Sequence, residues 1–310
     1  MNRYKSPLRY PGGKQRLAPF VAEILRECDL LGGDYVEPFA GGAGIAIDLL
    51  LNDLVSRIHL NDLSLPVYAF WRAILTKTEE FCRLISTASL TIREWRRQKE
   101  ILASPRKYDQ LSLAFSFFYL NRCNRSGIVS GGCIGGLHQS GKWRIDARFP
   151  RNELIRRIEL IADRSKSISV KNWDAEKYIC DYVSTLPQKT LVYCDPPYFN
   201  KADRLYLNHY QPGDHAKLAK SIQESLSHHW LVSYDAAPEI TKHYSQRRSF
   251  FYDLQYNAAN AYKGREAFFF CDRVALPEIS SVTCINAVLS DVRMGKKLTD
   301  RSPVNPKRNA

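Results

Sequence analysis

The sequence predicts an α/β fold, a doubly wound sheet interrupted by an inserted, mainly helical segment, and three observations predict it. Strand-like and amphipathic helical stretches alternate over residues 14–65 and again from residue 166. Between them the apolar spacing is helical throughout. The chain has 310 residues, 45% of them hydrophobic and 12% aromatic, ample for one large domain with an insertion or for two domains.

Charge and cysteine usage narrow the class. A net charge of +13 favours a polyanionic partner, because each neutralised phosphate releases counterions. No apolar run has the length of a membrane span, and Met1-Asn2-Arg3-Tyr4-Lys5-Ser6 lacks a secretory apolar stretch, so an intracellular, cytoplasmic protein of prokaryotic or phage type is expected. The eight cysteines are dispersed, without Cys-x-x-Cys or clustered histidines, and read as reduced thiols rather than metal ligands or disulfides.

The opening Ser6-Pro7-Leu8-Arg9-Tyr10-Pro11-Gly12-Gly13-Lys14 is rich in turn residues, and Leu17, Phe20, Val21, Ile24 and Leu25 follow at helical spacing. Lys14 then falls at a helix N-terminus, where a cation opposes the macrodipole unless it meets an anion. The glycines lack the spacing and following Ser/Thr of a P-loop, which argues against a nucleoside triphosphate. Next, Tyr35-Val36-Glu37-Pro38-Phe39-Ala40-Gly41-Gly42-Ala43-Gly44 and the apolar stretch from Ile45 read as strand, glycine turn and helix. Small residues there let the backbone approach a ligand closely, although the turn departs from the dinucleotide fingerprint. A second strand, Arg57 to Asp62, ends in an acid 18 residues after Gly44. Such an acid can hold ribose hydroxyls, and Asn61-Asp62 could equally cap the next helix.

From Pro66 to Ser165 the apolar stripes of Trp71, Ile74, Leu75, Phe81, Leu84, Leu111, Phe115, Phe118 and Tyr119 read as helical core. They flank a glycine-rich passage with six Lys/Arg against one acid over residues 121–151. Its residues Arg122, Asn124, Arg125, Ser126, Lys142 and Arg144 are candidates for phosphate and base-edge contacts on an extended loop or β-ribbon, a mobile surface loop being the alternative. Strand character returns over Ser167 to Asp174, ending in Trp173-Asp174, and a helix is expected over 175–184.

Leu191-Val192-Tyr193-Cys194-Asp195-Pro196-Pro197-Tyr198 is a buried strand that stops abruptly at its carboxyl end, where open α/β sheets bind ligands. Two prolines fix φ and remove two donors, so carbonyls face outward while Asp195 and Tyr198 are presented on a stiff platform. Acceptors, a carboxylate and a flat ring suit a planar base with an exocyclic amino group. Residues 199–214 read as a loop long enough to close over a ligand, further strands follow at His229–Asp235, Phe250–Leu254 and Glu266–Phe270, and the tail from Ala287 is basic and proline-containing.

These motifs, in this order, resemble the Dam-like class-α DNA adenine-N6 methyltransferases over about residues 5 to 270. Pro11-Gly12-Gly13-Lys14, Glu37-Pro38-Phe39-Ala40-Gly41-Gly42, Asp62, Asn172-Trp173-Asp174 and Asp195-Pro196-Pro197-Tyr198 carry the resemblance. It implies a Rossmann-like S-adenosylmethionine-dependent methyltransferase sheet, with Tyr10, Lys14, Glu37, Phe39, Gly41, Asp62, Trp173, Asp174 and Asp195 at the cofactor pocket. Asp195, Pro196, Pro197 and Tyr198 would form the catalytic motif acting on a flipped-out adenine in double-stranded DNA. It further implies a catalytic domain split over 1–65 and 166–286, a target-recognition domain over 66–165, a basic flexible tail over 287–310, no metal, and a companion restriction endonuclease as a possible partner. Where the family carries an aromatic before its Asn/Ser-Gly pair this chain has Arg125, and Ser130 stands where GATC enzymes carry a base-reading arginine, so GATC specificity does not transfer. Two other readings share these residues: an inactive DNA-binding protein on the same fold, and a methyltransferase acting on RNA or protein amino groups.

Overall fold

Seven strands form one sheet: β1 (Asp34–Glu37), β2 (Arg57–Asn61), β3 (Ile168–Lys171), β4 (Thr190–Cys194), β5 (His229–Asp235), β6 (Arg248–Tyr256) and β7 (Tyr262–Phe270). Their order is β3-β2-β1-β4-β5-β7-β6. The first five run parallel, β7 is antiparallel to β5, and β6 is antiparallel to β7. The computed structural model describes residues 5–10, 14–199, 210–256 and 262–277. Pro11-Gly12-Gly13, residues 200–209 of the expected closing loop and the 287–310 tail lie outside the described residues.

The interior strands explain their own composition. Every residue of β1 and of β4 is buried, since a parallel strand covered by helices on both faces has no solvent side. The edge strand β3 is half-buried along its whole length. From β1 the chain first builds outward through β2 and β3, then returns to build β4 and β5 on the other side. The β1/β4 junction is therefore the switch point, and the loops leaving these two strands diverge to open a crevice at their carboxyl ends.

Helices cover the sheet. In α1 (Ala18–Glu27) a proline occupies the first turn, where its missing N–H costs nothing, and Phe20, Val21, Ile24 and Leu25 are buried. The Phe20 ring meets Phe250 at 5.7 Å and Phe268 at 5.5 Å, which fastens this helix to β6 and β7. Helix α2 (Gly44–Leu51) is buried on most sides and follows the glycine turn directly.

Between β2 and β3 lie α3 (Leu65–Thr76), α4 (Thr78–Thr87), α5 (Ile92–Ala103), α6 (Gln110–Cys123) and α7 (Arg151–Ala162). Asp109 caps α6 by accepting from the amides of Leu111 at 2.9 Å and Ser112 at 3.0 Å. The expected stripes do form the core here: Phe70 stacks on Phe118 at 5.8 Å and meets Phe81 edge-on at 5.7 Å. Each such buried aromatic contributes about 2–3 kcal/mol through burial alone.

The segment expected as one helix over 175–184 is broken instead. A short helix, α8 (Ala175–Lys177), runs into a π turn over Tyr178–Tyr182 and a 3-10 turn over Val183–Thr185. The wider turn brings the rings of Tyr178 and Tyr182 into a stack at 5.1 Å. Helices α9 (Pro212–Ser225) and α10 (Pro238–His243) complete the order. The basic passage is not a β-ribbon: one isolated antiparallel bridge, Asn124 with Cys133, is followed by consecutive turns. Among the described residues no helix is long and apolar enough to cross a membrane.

Candidate active site

The glycine turn leaves the tip of β1 through two left-handed residues, Gly41 (φ 45°) and Ala43 (φ 43°). A side chain at Gly41 would place its Cβ 2.7 Å from the Tyr10 ring, so glycine lets that ring lie against the turn. The turn's polar groups are held from three directions. Trp71 Nε1 donates to the Gly41 carbonyl at 2.9 Å, Ser6 Oγ donates to that of Gly42 at 2.6 Å, and the Gly41 amide donates to Asp62 Oδ2 at 2.8 Å. The other oxygen of Asp62 accepts from the Ser64 amide at 2.9 Å. Asp62 thus holds the start of the next helix, as one sequence reading had it, and also fixes the glycine turn. Burial pushes its pKa up to about 6.

Glu37 lies beneath the turn and accepts from the Ala46 amide in the first turn of α2 at 3.1 Å. Burial, aided by the charge of Asp195, pushes its pKa up to about 8 although the Ala46 bond acts the other way. Asn61, considered from the sequence as a helix cap, instead ties three strand ends together. Its Nδ2 donates to the carbonyls of Pro38 and Trp173, both at 3.0 Å, and its Oδ1 accepts from the Trp173 amide at 2.9 Å. This fixes the half-buried Trp173 at the tip of β3 and links it to the tip of β1, where Phe39 is likewise half-buried. Asp174 is exposed and caps α8, accepting from the amides of Glu176 at 3.0 Å and Lys177 at 3.2 Å.

Asp195 follows directly on β4, next to β1 in the sheet. Ser233 on β5 donates to its Oδ1 at 2.6 Å, and Lys14 Nζ lies 3.2 Å from the same oxygen. Both contacts fall on Oδ1, which leaves Oδ2 to accept from a ligand. Lys14 also pairs with Glu266 Oε2 at 2.7 Å, so the cation at the helix start has found its anions within the protein. Those two carboxylates raise the Lys14 pKa against the burial that would lower it, and burial raises that of Asp195 against the pull of Lys14. Tyr193 shares a 2.8 Å hydrogen bond with Ser233. Tyr198 corrects the expectation of an open stacking platform: its side chain is buried, its hydroxyl donates to Glu266 Oε1, and Lys14 sits 5.5 Å over its ring. Pro196 and Pro197 are buried, and beyond them the Phe199 amide donates to Asp235 Oδ1 at the tip of β5 at 2.9 Å. Cys194 is wholly buried and burial pushes its thiol up, which fits strand core.

With this crevice described, the comparisons with known proteins decide the family. The sequence profile of the D12 class N6 adenine-specific DNA methyltransferases matches residues 10–258. The chain belongs to that family. Proteins named DNA adenine methylase from Salmonella typhi and Salmonella typhimurium are 25% identical to it over 204 residues, 64% of this chain. The match spans 66% of the length of those relatives. Two solved structures superpose distantly: a Legionella pneumophila protein at TM-score 0.37 and 8% identity, covering 90% of this chain and 93% of that one, and an rRNA methyltransferase from Streptomyces viridochromogenes at TM-score 0.34 and 13% identity, covering 86% and 87%. The sheet order and the switch-point crevice, rather than these two, identify the fold as the Rossmann-like sheet of a methyltransferase.

In this D12-class chain the six residues proposed for DNA contact divide in two. Arg122 and Asn124 are buried, which corrects their assignment. Arg122 donates through Nε to the Arg148 carbonyl at 2.7 Å, and Asn124 Nδ2 donates to the carbonyls of Ile128, Val129 and Gly131 at 2.9, 3.0 and 3.1 Å. These two hold the basic loop from inside. Arg125, Lys142 and Arg144 are exposed, and Ser126 is half-buried in a left-handed turn (φ 55°). Trp143, part of the same basic passage, stands 63% exposed between Lys142 and Arg144, with Lys142 Nζ 5.7 Å over its ring. The loop is also joined to the opening segment, since Asn121 clamps the Arg9 backbone, accepting from its amide at 2.8 Å and donating to its carbonyl at 2.7 Å.

The sequence reading missed Ser233 and Glu266. Glu266 left one signal, a lone acid at the head of the apolar run Ala267-Phe268-Phe269-Phe270. Among the described residues no group of three or more His, Cys, Asp or Glu could hold a metal ion.

Proposed function

We propose that this chain transfers a methyl group from S-adenosylmethionine to the exocyclic amino group of an adenine rotated out of duplex DNA. The observation that supports it best is Asp195 with a free Oδ2 at the tip of β4, one strand from the glycine turn on β1. The donor set suits a sulfonium nucleoside with hydroxyl groups: half-buried Phe39 and Trp173 rings for a flat base, Asp62 for hydroxyls, and Glu37, whose carboxyl an approaching cation would ionise, for positive charge. Tyr10, Lys14, Gly41 and Asp174 complete the pocket, Lys14 through its hold on Asp195 and Gly41 by keeping the turn close. When bound, S-adenosylmethionine supplies a methyl group already activated by positive sulfur.

The protein's own contribution is position and polarity. Asp195 Oδ2 and the Pro196 carbonyl accept the two amino hydrogens of adenine, turning the nitrogen toward tetrahedral geometry with its lone pair aimed along one direction. Pro197 stiffens the turn and Tyr198 anchors it through Glu266. Extruding the base costs a few kcal/mol, which contacts between the DNA and the basic loop (Arg125, Ser126, Lys142 and Arg144) offset. The helical segment between β2 and β3 serves on this reading as the target-recognition domain.

The test is transfer of radiolabelled methyl groups from S-adenosylmethionine to mixed-sequence duplex DNA, to RNA and to peptides in competition. Label entering duplex DNA, and not the other two, is expected. Label entering RNA or peptide in preference, or DNA binding without transfer, would replace this reading with one of its two rivals.

A further inference from the structure

We propose that Glu266 is a positioning residue for the transfer site: it holds Lys14 away from exclusive pairing with Asp195 and so keeps the Asp195 carboxylate available to the amino group. The inference rests on the methyl-transfer reading and adds a residue to it. Glu266 is 1% exposed in the middle of β7, and its two oxygens are committed to different partners. Oε1 accepts from the Tyr198 hydroxyl and Oε2 meets Lys14 Nζ at 2.7 Å, closer than the 3.2 Å between Lys14 and Asp195. A single buried ammonium is therefore shared by two carboxylates and leans toward the more deeply buried one.

The consequence follows from electrostatics in a dry site. Were the Glu266 charge absent, Lys14 would pair wholly with Asp195, compete with adenine for that carboxylate and make it a poorer acceptor. Loss of Glu266 would also release Tyr198, which fixes the turn after the two prolines. The groups that act on Asp195 are Lys14 from the opening turn, Tyr35 and Glu37 from β1, Tyr193 and Cys194 from β4, Ser233 from β5 and Glu266 from β7. Of these, Glu266 raises the Asp195 pKa and Lys14 lowers it, so loss of Glu266 has a defined sign.

Glu266→Gln tests this because the amide keeps the shape while removing the charge, at the cost of one of the two acceptor oxygens. In protein labelled with 13C at the aspartate carboxyls, the Asp195 signal is identified by its loss in Asp195→Asn and its titration is followed by NMR without cofactor or DNA. Asp195 should titrate about one pH unit lower in Glu266→Gln. The same variant should lose kcat by ten-fold or more with KM for DNA and for the methyl donor within three-fold, and the acid limb of its kcat profile should move to lower pH. Glu266→Asp, which restores the charge, should restore that limb. An unmoved Asp195 titration, or an unchanged kcat, overturns the proposal. Should Glu266→Gln not fold, Glu266→Asp carries the comparison: an Asp195 titration and an acid limb at their wild-type positions support the proposal, and displacement of either overturns it. If the wild-type protein transfers no methyl group at all, the function reading fails while the titration still decides the position of Lys14.

Discussion

Replacing Asn124 by alanine separates a structural role from a DNA contact. The side chain is wholly buried: Nδ2 serves three loop carbonyls, and Oδ1 accepts from Trp95 Nε1 at 2.7 Å. Alanine leaves the Trp95 indole N–H buried without an acceptor, at a cost of about 1–3 kcal/mol, and removes the shared donor from three carbonyls, about 1–2 kcal/mol more. A total of about 2–5 kcal/mol is expected, lowering Tm by roughly 3–8 °C for a chain of this length. Asn124→Asp should be worse, because it sets a carboxylate against those carbonyls in a buried site. Thermal melts paired with affinity for several 30-mer duplexes make the assay, and Asn124→Ala should weaken binding to all of them alike as the loop loosens. A Tm within 1 °C of wild type together with a ten-fold loss of affinity for one sequence would refute the reasoning and restore Asn124 as a base contact.

Other outcomes follow from the same geometry. Glu37 has its folded pKa raised to about 8, so the folded state holds its proton more tightly than the unfolded chain does, and that stability is full below pH 4.5 and lost as pH rises through about 8. Melting of the cofactor-free protein should therefore fall relative to Glu37→Gln between pH 5 and 9, by an amount on the order of a few kcal/mol, and parallel curves would contradict the assignment. Trp143→Ala should weaken duplex DNA binding roughly ten-fold, with Trp143→Phe near wild type, since an exposed ring between two cations suits stacking on a base. Equal affinities for wild type and Trp143→Ala by fluorescence anisotropy would remove that role.

What the sequence made legible was local. Four apolar residues running into Asp195-Pro196-Pro197 announce a buried strand and its stop, and Glu37 to Gly44 announce a strand, a tight turn and a helix, because strand burial and glycine conformation are written in neighbouring residues. The partners of Asp195 were not legible. Ser233 and Glu266 reach it only through β4 pairing with β5 and β5 with β7, contacts between residues far apart in the chain. Nor did the sequence reveal that Tyr198 is closed off, since that depends on Lys14 and Glu266 arriving from opposite ends of the chain. Arg122 was misread for a different reason. It falls at positions i+7 and i+4 from Phe115 and Phe118, on the stripe already assigned to the core, and that helical period should have outweighed its charge. Asn124, two residues further on at the end of the helix, is buried because it replaces backbone partners for a loop too irregular to supply its own.

The central claim is that the Asp195 carboxylate and the glycine-turn crevice form one methyl-transfer site. Incubation of the protein with methyl-labelled S-adenosylmethionine and unmethylated mixed-sequence duplex DNA, followed by digestion to nucleosides and chromatography, tests it directly. Wild type should place the label in N6-methyladenine, and Asp195→Ala, folded to the same Tm within a few degrees, should lose at least a hundred-fold in rate, about 2.7 kcal/mol of transition-state stabilisation. Label in another nucleoside, or equal transfer by Asp195→Ala, would contradict the account.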